Sequence, residues 1–352
     1  MVDTCRKPLL EVCDLLDSKR VPVTSNKRIH GPYPYYGANG IQDYVNDYIF
    51  DDDLVLLAED GGNFGSKDKP IAYRVSGKCW VNNHAHVLKP REGLNVDYLC
   101  YSLMYYDTKG LVNGATRKKL TQTAMKNIKI PILAYNEQLK IVKRIAVVST
   151  LINNRKKELG LLDELVKSRF LEMFGDIELN SQNMQKMMWQ EVFDTQTGKL
   201  DANAAVKGGR YPFFTCAKEI STIDEYAYDC EALLLAGNNA VGDYDVKYYK
   251  GKFNAYQRTY ILMLKNRQYS YSVFKFQLEQ KLRYLQLQSK GTNTRYLTMG
   301  ILKSLDFIVP PIVKQQEFAQ FVNATDKSKL AVQKSLDELE ILKKSLMQTY
   351  FG

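Results

Sequence analysis

The sequence has little of what metal sites, disulfide scaffolds and membrane proteins need. Only three of its 352 residues are histidine, and the six cysteines form no Cys-x-x-Cys pair or other metal-ligand spacing. The cysteines therefore indicate thiols in a reducing compartment. No stretch approaches the ~18 consecutive apolar residues of a membrane span, and no basic-then-apolar leader opens the chain. We expect a soluble, cytoplasmic protein.

Signatures of catalysis are also missing. Gly237–Gly242 has the glycine spacing of a phosphate-binding loop, but Asp243 follows where Lys and Ser or Thr would have to reach phosphate and magnesium. His84 and His86 could offer two imidazoles from one strand face to a metal, but a polar strand edge is the preferred interpretation. The sequence has no Rossmann glycine loop and no Asn/Asp-Pro-Pro-aromatic tetrad of an amino-methyltransferase. We expect no catalytic residues and no metal site.

The chain carries an excess of positive charge. The net charge is +10, with 49 Lys and Arg against 39 Asp and Glu, and residues 1–176 and 177–352 each contribute +5. A basic balance alone is weak evidence for a polyanionic partner. The equal division of the positive charge between the two halves indicates that the charge is a property of a repeated unit.

The two halves of the chain match each other at a nearly constant separation of half its length. A period this long indicates a duplicated domain, because solenoid repeats run to about 20–50 residues. The matching segments are Glu11–Asp14 with Glu191–Asp194, Gly31–Tyr36 with Gly209–Phe214, Leu56–Ala58 with Leu234–Ala236, Gly114–Thr121 with Gly291–Thr298, and Leu162–Gly175 with Leu339–Gly352.

Each half is predicted to hold a strand-rich globular part followed by one long helix. Short apolar runs between turn signals predict strands, and longer periodic stretches predict helices at 96–107 and 271–288, so the fold class is α+β. The predicted strands are Leu54–Ala58, Ile71–Val75, Ala85–Leu88, Ala232–Ala236, Asp245–Tyr249 and Tyr260–Leu264.

The long helices carry apolar residues spaced alternately four and three apart, which is the seam of a coiled coil. At about 1.5 Å per residue each stripe is longer than one domain of this size covers, so we predict that the two helices pair antiparallel and join two similar domains at opposite ends of a rod. Packing of each helix on its own domain is the alternative. The predicted divisions are a first globular domain at 1–134, a central helix at 135–176, a second globular domain at 177–313 and a C-terminal helix at 314–352.

Turns in both halves gather basic, amide and aromatic side chains. Arg and Lys suit phosphates and guanine edges, while Asn and Gln suit adenine. Singly each is more often a solvated loop residue, but the recurrence in both copies favours DNA contact. The candidates are Lys27, Arg28, Asn39, Asn63, Lys67, Asn83, His84, Thr116, Arg117, Lys118 and Lys119 in the first half, and Arg210, Lys218, Asn238, Asn239, Tyr256, Gln257, Arg258, Asn293, Thr294, Arg295 and Tyr296 in the second.

These features together resemble the specificity subunit of Type I restriction–modification systems, over essentially the whole chain. The order is variable domain, long helix, variable domain, long helix, with a departure in the second half, where Gln316-Glu317 replaces Glu137-Gln138. The segments that carry the resemblance are Tyr33–Tyr36, Tyr211–Phe214, Gly114–Arg117, Gly291–Arg295, Ile130–Leu133 and Val309–Ile312.

The resemblance implies that each globular part is a target-recognition domain reading one half of a split double-stranded DNA sequence, with the helices fixing the unspecified gap. It also implies that two methyltransferase subunits dock on this chain and that restriction/translocase subunits join them in a bacterial defence complex. S-adenosylmethionine, ATP and Mg would act in those partners, with no cofactor in this subunit. A stand-alone DNA-bridging or scaffold protein is the first rival function, and a nuclease or methyltransferase with a degenerate motif is the second.

Overall fold

The computed structural model describes residues 5–66, 68–114 and 117–352. The chain forms two compact units, the first made of Met1–Lys156 and Lys334–Gly352, the second of Lys157–Gln333. Each unit holds one strand-rich part and half of each long helix. This division cuts the helices that the sequence-based boundaries keep whole, so those boundaries stay a prediction.

The strand-rich part of the first unit precedes the first long helix. Its elements are β1 (Cys5–Pro8), α1 (Leu9–Val12), β2 (Cys13–Leu15), β3 (Tyr33–Gly37), β4 (Gly40–Val45), β5 (Phe50–Asp51), β6 (Leu54–Ala58), β7 (Ala72–Val75), β8 (Lys78–Val81), β9 (Ala85–Pro90), α2 (Val96–Met104), β10 (Val112–Asn113), β11 (Lys119–Leu120), α3 (Gln122–Met125), β12 (Lys129–Ile132) and the long helix α4 (Tyr135–Phe174).

The second unit repeats this order. Its elements are β13 (Gln185–Met188), α5 (Trp189–Val192), β14 (Phe193–Thr197), β15 (Tyr211–Phe214), β16 (Ser221–Ile223), β17 (Tyr228–Ala236), β18 (Asn238–Asn239), β19 (Val246–Ala255), β20 (Thr259–Leu264), α6 (Tyr271–Gln280), α7 (Leu282–Gln288), β21 (Arg295–Tyr296), α8 (Met299–Lys303), β22 (Asp306–Val309) and the long helix α9 (Ile312–Phe351).

The two units share their strand pairing. In the first, the larger sheets run β2-β9-β6-β7 and β4-β3-β8-β5; in the second, one larger sheet runs β14-β20-β17-β19-β15-β16. The pairing of β3 with β8 is parallel, as is that of β15 with β19, and the other ladders are antiparallel. The α+β duplication predicted from the sequence is therefore confirmed.

A break between two strands distinguishes the first unit, which has two larger sheets, from the second, which has one. Gly77, at φ +74°, separates β7 from β8, whereas Gly251 of the second unit, at φ +130°, lies within the continuous β19. Glycine adopts such positive φ values without the steric cost of a side chain. The single strand β19 of the second unit therefore takes the place of both β7 and β8 of the first.

The central strand of each unit is the most buried part of its sheet. All five residues of β6 are buried, as are Ala232–Ala236 of β17. Continuous apolar runs are typical of strands covered on both faces. The predicted strands at Leu54–Ala58 and Tyr260–Leu264 match β6 and β20 to within one residue, and the predicted helix at 271–288 is divided into α6 and α7.

The predicted seam lies on the packed side of both long helices. Within the first unit, Arg144 Nη1 of α4 donates to Tyr350 Oη of α9 at 2.9 Å, and Lys156 Nζ is 2.8 Å from Glu340 Oε1. Within the second, the Phe170 ring lies 5.3 Å from that of Phe318. Early residues of one helix meet late residues of the other, so the pair is antiparallel. The positions of the seam, all buried or half-buried, are Ile141, Ile145, Val148, Ile152, Arg155, Leu159, Leu162, Val166, Arg169, Met173, Phe318, Val322, Thr325, Lys329, Val332, Leu336, Leu339, Lys343, Leu346 and Tyr350.

A buried glutamine joins each long helix to its domain. Gln138 Oε1 accepts from Asn95 N at 2.9 Å, and its Nε2 donates to Gly93 O and Leu133 O, both at 2.9 Å. The equivalent position of the second half is occupied by Gln315. Both glutamines are fully buried, so their amides have only protein groups as partners.

Gln315 repeats the arrangement in the second unit. Its Oε1 accepts from Ser270 N at 2.9 Å and its Nε2 donates to Pro310 O at 2.8 Å. Gln316, which the sequence comparison paired with the first-half motif, is exposed. The structural counterpart of Gln138 is therefore Gln315, so both halves keep the glutamine, while Lys314 stands in the place of Glu137.

Replacing Gln315 with Leu should lower the free energy of unfolding by roughly 2–4 kcal/mol, because Ser270 N and Pro310 O lose the hydrogen bonds that the amide supplies. Gln138→Leu should cost at least as much, since three backbone groups lose a partner. Urea unfolding followed by circular dichroism measures both. Gln316→Leu is the matched control and should stay within about 0.5 kcal/mol of the wild type; an equal loss in all three variants would contradict a structural role for the buried pair.

Candidate nucleic-acid interface

Three chain segments meet where β6 leaves the core of the first unit. Glu59 N donates to His84 O at 2.9 Å, and Glu59 O accepts from Leu120 N at 2.7 Å. Gly61 N also donates to Lys118 O at 3.1 Å. We call residues 59–61, 82–84 and 117–120 the first junction. Its backbone is fixed by hydrogen bonds, so its side chains project from a defined position.

The second unit has the same junction. Gly237 N donates to Arg258 O at 2.9 Å, and Gly237 O accepts from Leu297 N at 2.8 Å. Beyond it, Asn238 pairs with Tyr296, as Asp60 pairs with Lys119 in the first unit. Residues 237–239, 256–258 and 294–297 form this second junction. The hydrogen bonds define which positions are equivalent, and they do so independently of side-chain identity.

A glycine lies three residues before the third segment of each junction. Gly114, at φ +103°, is so close to the following turn that a Cβ there would lie 2.2 Å from Arg117 O. At Gly291, with φ +98°, the corresponding distance to Thr294 O is 2.1 Å. Only glycine fits either turn. Thr294 therefore takes the place of Arg117, and Arg295 takes that of Lys118, one residue away from the pairing that the two Thr-Arg motifs suggest.

Buried polar side chains hold the same segments from below. His86 Nε2 donates to Leu120 O at 2.8 Å, and in the second unit Tyr260 Oη donates to Leu297 O at 2.9 Å. His86 is fully buried and Tyr260 nearly so. Both therefore anchor a surface segment to the sheet, and neither faces a ligand.

His86 also belongs to an ionic network beneath the first junction. The ligand atoms of Asp17, Glu59 and His86 lie within 4.8 Å of one another, close enough to suit a metal ion. The Arg20 guanidinium already occupies this position, since it lies 3.1 Å from Asp17 Oδ2 and 2.6 Å from Glu59 Oε2. Burial would raise the pKa of Asp17. The hydrogen bond and charge of His86, the hydrogen bond from Val87 N and the charge of Arg20 together lower this pKa below its ordinary value. The side chains of this network therefore form ion pairs that support the first junction.

Predicted site residues surround the first junction. Arg117 Nε lies 2.6 Å from Asp60 Oδ1, and Lys119 Nζ lies 3.2 Å from Glu59 Oε1. The remaining contacts are Asn39 Nδ2 to Gly61 O at 3.0 Å, Asn63 Nδ2 to Pro70 O at 3.2 Å, Lys118 Nζ to Phe64 O at 3.4 Å, and His84 Nδ1 to Asp60 Oδ2 at 3.5 Å, with Asn83 exposed beside His84.

Predicted residues also surround the second junction. Lys218 Nζ lies 2.6 Å from Asp243 Oδ2, a hydrogen bond that raises the pKa of Lys218. Arg295 Nη1 donates to Gln286 O at 3.1 Å, and Asn239 Oδ1 accepts from Val241 N at 2.9 Å. The other predicted residues here are Asn238 and Tyr256, which are half-buried, and Gln257, Arg258, Asn293, Thr294 and Tyr296, which are exposed.

Other predicted residues lie outside the two junctions. Arg28 is 3.2 Å from Asp43 Oδ2 and stacks over the Tyr35 ring at 4.1 Å, which gives it a structural role in the first unit. Lys27 precedes it and is exposed. Arg210 donates to Asp224 O at 3.2 Å. Lys67 and Thr116 lie outside the described residues. DNA contact by the predicted residues stays a prediction at every position.

Sequence reasoning missed the carboxylates of the site. Asp60 holds both Arg117 and His84, and Glu59 holds Lys119, yet neither acidic residue was a candidate. The available signal was position, because Asp60 lies two residues after Ala58, as Asn238 lies two after Ala236. A search for basic and amide residues alone overlooks the groups that orient them.

Comparisons with known proteins agree with this geometry. The family model for the Type I restriction modification DNA specificity domain matches residues 1–161 and again residues 181–340. The crystal structure of a Type I restriction-modification S subunit from M. genitalium is similar in fold, with a TM-score of 0.69 at 14% identity, and the match covers 100% of this chain and 97% of that one. Among the described residues, no helix is long and apolar enough to cross a membrane.

Two curated relatives are more similar in sequence. A putative type I restriction enzyme specificity subunit of Haemophilus influenzae is 32% identical over 215 residues, which are 59% of this chain and 55% of that protein. The EcoDI specificity subunit of Escherichia coli is 38% identical over 132 residues, 37% of this chain and 28% of that protein. The matches thus span about half of the first relative and less of the second. Because the family model covers most of the chain in two copies, the protein belongs to the family of Type I restriction–modification DNA specificity domains.

Proposed function

We propose that this protein reads a two-part DNA target as the specificity subunit of a Type I restriction–modification complex, with one junction facing each part. The observation that carries the proposal is the repeated junction itself. Glu59 and Gly237 make the same backbone hydrogen bonds, while the side chains beside them differ: Asp60 and Arg117 in one unit correspond to Asn238 and Thr294 in the other. A constant backbone with different side chains suits two readers of different bases.

The charge supports a nucleic-acid partner. Each half of the sequence carries a net +5, and basic side chains lie at both junctions. Phosphate contacts by Lys and Arg supply affinity without sequence preference, whereas amide and guanidinium groups at base edges supply specificity. Each junction presents both kinds of side chain on one surface.

The chemistry would lie in partner subunits. We propose that this chain binds no cofactor, that two methyltransferase subunits dock on it with S-adenosylmethionine, and that restriction/translocase subunits bring ATP and Mg. The protein would act in the cytoplasm, on chromosomal and invading DNA. Its own polar clusters support this division of labour, since the most buried of them, around Asp17 and His86, is neutralised by Arg20.

Adenine methylation in cells that express this chain with its methyltransferase should reveal one motif of two different short blocks separated by unspecified bases. The reason is that two recognition units with different side chains read different sequences. Genome-wide sequencing of methylated adenine measures this, with cells lacking this chain as the control. A continuous palindrome would contradict the proposal, because identical half-sites are read by symmetric dimers.

Replacing Lys118 and Lys119 together with Ala should weaken binding to cognate and non-cognate duplexes alike. The slope of log affinity against log salt should fall by up to about two, as for two lost phosphate contacts. The measurement is a salt titration of the assembled methyltransferase complex on labelled duplexes. The matched control is Lys78→Ala with Lys89→Ala, two lysines of the same unit at the ends of β8 and β9 that lie away from the junction. An unchanged slope in the first variant would show that this segment faces a protein.

Asn83 and Gln257 occupy equivalent turns, each one residue before the carbonyl that bonds Glu59 or Gly237, and both are exposed. Asn83→Ala should cost about 1–3 kcal/mol of discrimination mainly at one base pair of one block, and Gln257→Ala should do so in the other block. Binding to a set of single-mismatch duplexes measures this. Loss in the same block for both variants would show that the two units do not read separate blocks.

A further inference from the structure

Arg117 is held on three sides. Its Nε lies 2.6 Å from Asp60 Oδ1, and its Nη2 lies 3.5 Å from His84 Nδ1. A Cβ at Gly61 would lie 3.2 Å from the same Nε and 3.5 Å from Nη2. The guanidinium therefore lies flat against the backbone of Gly61, where a larger residue would crowd it. A long flexible side chain is fixed in one orientation.

Stability does not account for this restraint. The Arg117 side chain is 59% exposed, and ion pairs at such positions contribute little to folding. What the arrangement does provide is orientation, which lowers the entropy that the side chain loses when it binds.

The free edge of the guanidinium fits a guanine. With Nε directed at Asp60 and one Nη2 proton towards His84 Nδ1, the donors that remain for a ligand are those of Nη1 and the second proton of Nη2. Paired arginine donors match guanine O6 and N7 in the major groove. A phosphate would also accept two such bonds, but it would approach the Asp60 carboxylate and be repelled by it. A guanine edge carries no net charge, so the same carboxylate does not oppose it.

The pair of Asp60 and Arg117 is present in the first unit and has no equivalent among the described residues of the second. The backbone hydrogen bonds of the junctions place Asn238 where Asp60 stands and Thr294 where Arg117 stands. The oriented arginine is thus among the side chains that differ between two otherwise matching surfaces. Differences at these positions are what make the two blocks of a target different.

We propose that Arg117 reads a guanine in the block recognised by the first unit, and that Asp60 is the residue that positions it. The inference rests on the proposed DNA-reading function and adds to it the base, the reading residue and the group that orients it.

The test uses the full-length chain assembled with its methyltransferase subunits. Each G·C pair of both blocks is replaced in turn by A·T, and binding is measured over a range of salt. The wild-type complex should lose about 5- to 150-fold at one G·C pair that Arg117 reads, the range for one bidentate contact. Arg117→Lys keeps the charge but not the planar fork, so discrimination at that pair alone should fall to near one while the salt slope stays unchanged.

Asp60→Asn separates positioning from folding. Discrimination should fall at the same G·C pair as in Arg117→Lys, while binding to non-cognate duplexes should strengthen because a negative charge is removed. Arg91→Lys is the control: Arg91 Nε lies 2.8 Å from Asp14 Oδ1 in the same unit, and the Arg91 side chain is about as exposed as that of Arg117. That variant should leave discrimination at every position as in the wild type. Thermal unfolding of each variant monitors the fold.

Several results would overturn the inference. If Arg117→Ala weakens all duplexes equally and lowers the salt slope by about one, Arg117 contacts a phosphate. Unchanged discrimination in Arg117→Lys, or a first block without guanine on either strand, would refute it as well. A wild-type complex that recognises two blocks while Arg117→Lys behaves like the wild type refutes only this inference. A wild-type complex without a two-block preference refutes the proposed function itself.

Discussion

In each unit, one residue just beyond the central strand is hydrogen-bonded through both of its backbone groups to two distant segments. Glu59 bonds His84 O and Leu120 N, and Gly237 bonds Arg258 O and Leu297 N. Because these groups sit at the end of a strand buried on both faces, each bond is fixed relative to the core. These bonds hold the three chain segments together, and the polar side chains of the junction lie on those segments.

Backbone bonds leave the side chains at these positions free to vary. Aspartate and asparagine both follow the central residue, at Asp60 and Asn238, and histidine and tyrosine both bond the leucine carbonyl from the sheet side. A scaffold with this property can acquire new side chains at its surface without losing its shape. In the proposed DNA-reading function, this separation lets specificity change while the fold stays the same.

The parts of this structure that the sequence could predict are those with long periodic signals. The 4-3 spacing of the helices and the apolar run Leu54–Ala58 depend on many residues at once, so single exceptions do not hide them. The pairing with Gln316 was wrong because a motif of two residues is too short to fix its own alignment, whereas contacts with Ser270 and Pro310 identify Gln315. Likewise, no local pattern indicated that Asp60 meets Arg117, because the two lie far apart along the chain and only the folded backbone brings them together.

Carboxylates among the basic residues change what the positive charge can do. Glu59, Asp60 and Asp243 neutralise Lys119, Arg117 and Lys218 in the unbound protein. A phosphate that binds one of these side chains must displace or tolerate a nearby acid, so the gain from each non-specific contact is reduced. Contacts with uncharged base edges meet no such opposition. In the proposed DNA complex the ion pairs therefore shift the balance of binding energy from the phosphate backbone towards the bases, which favours discrimination against most of a chromosome.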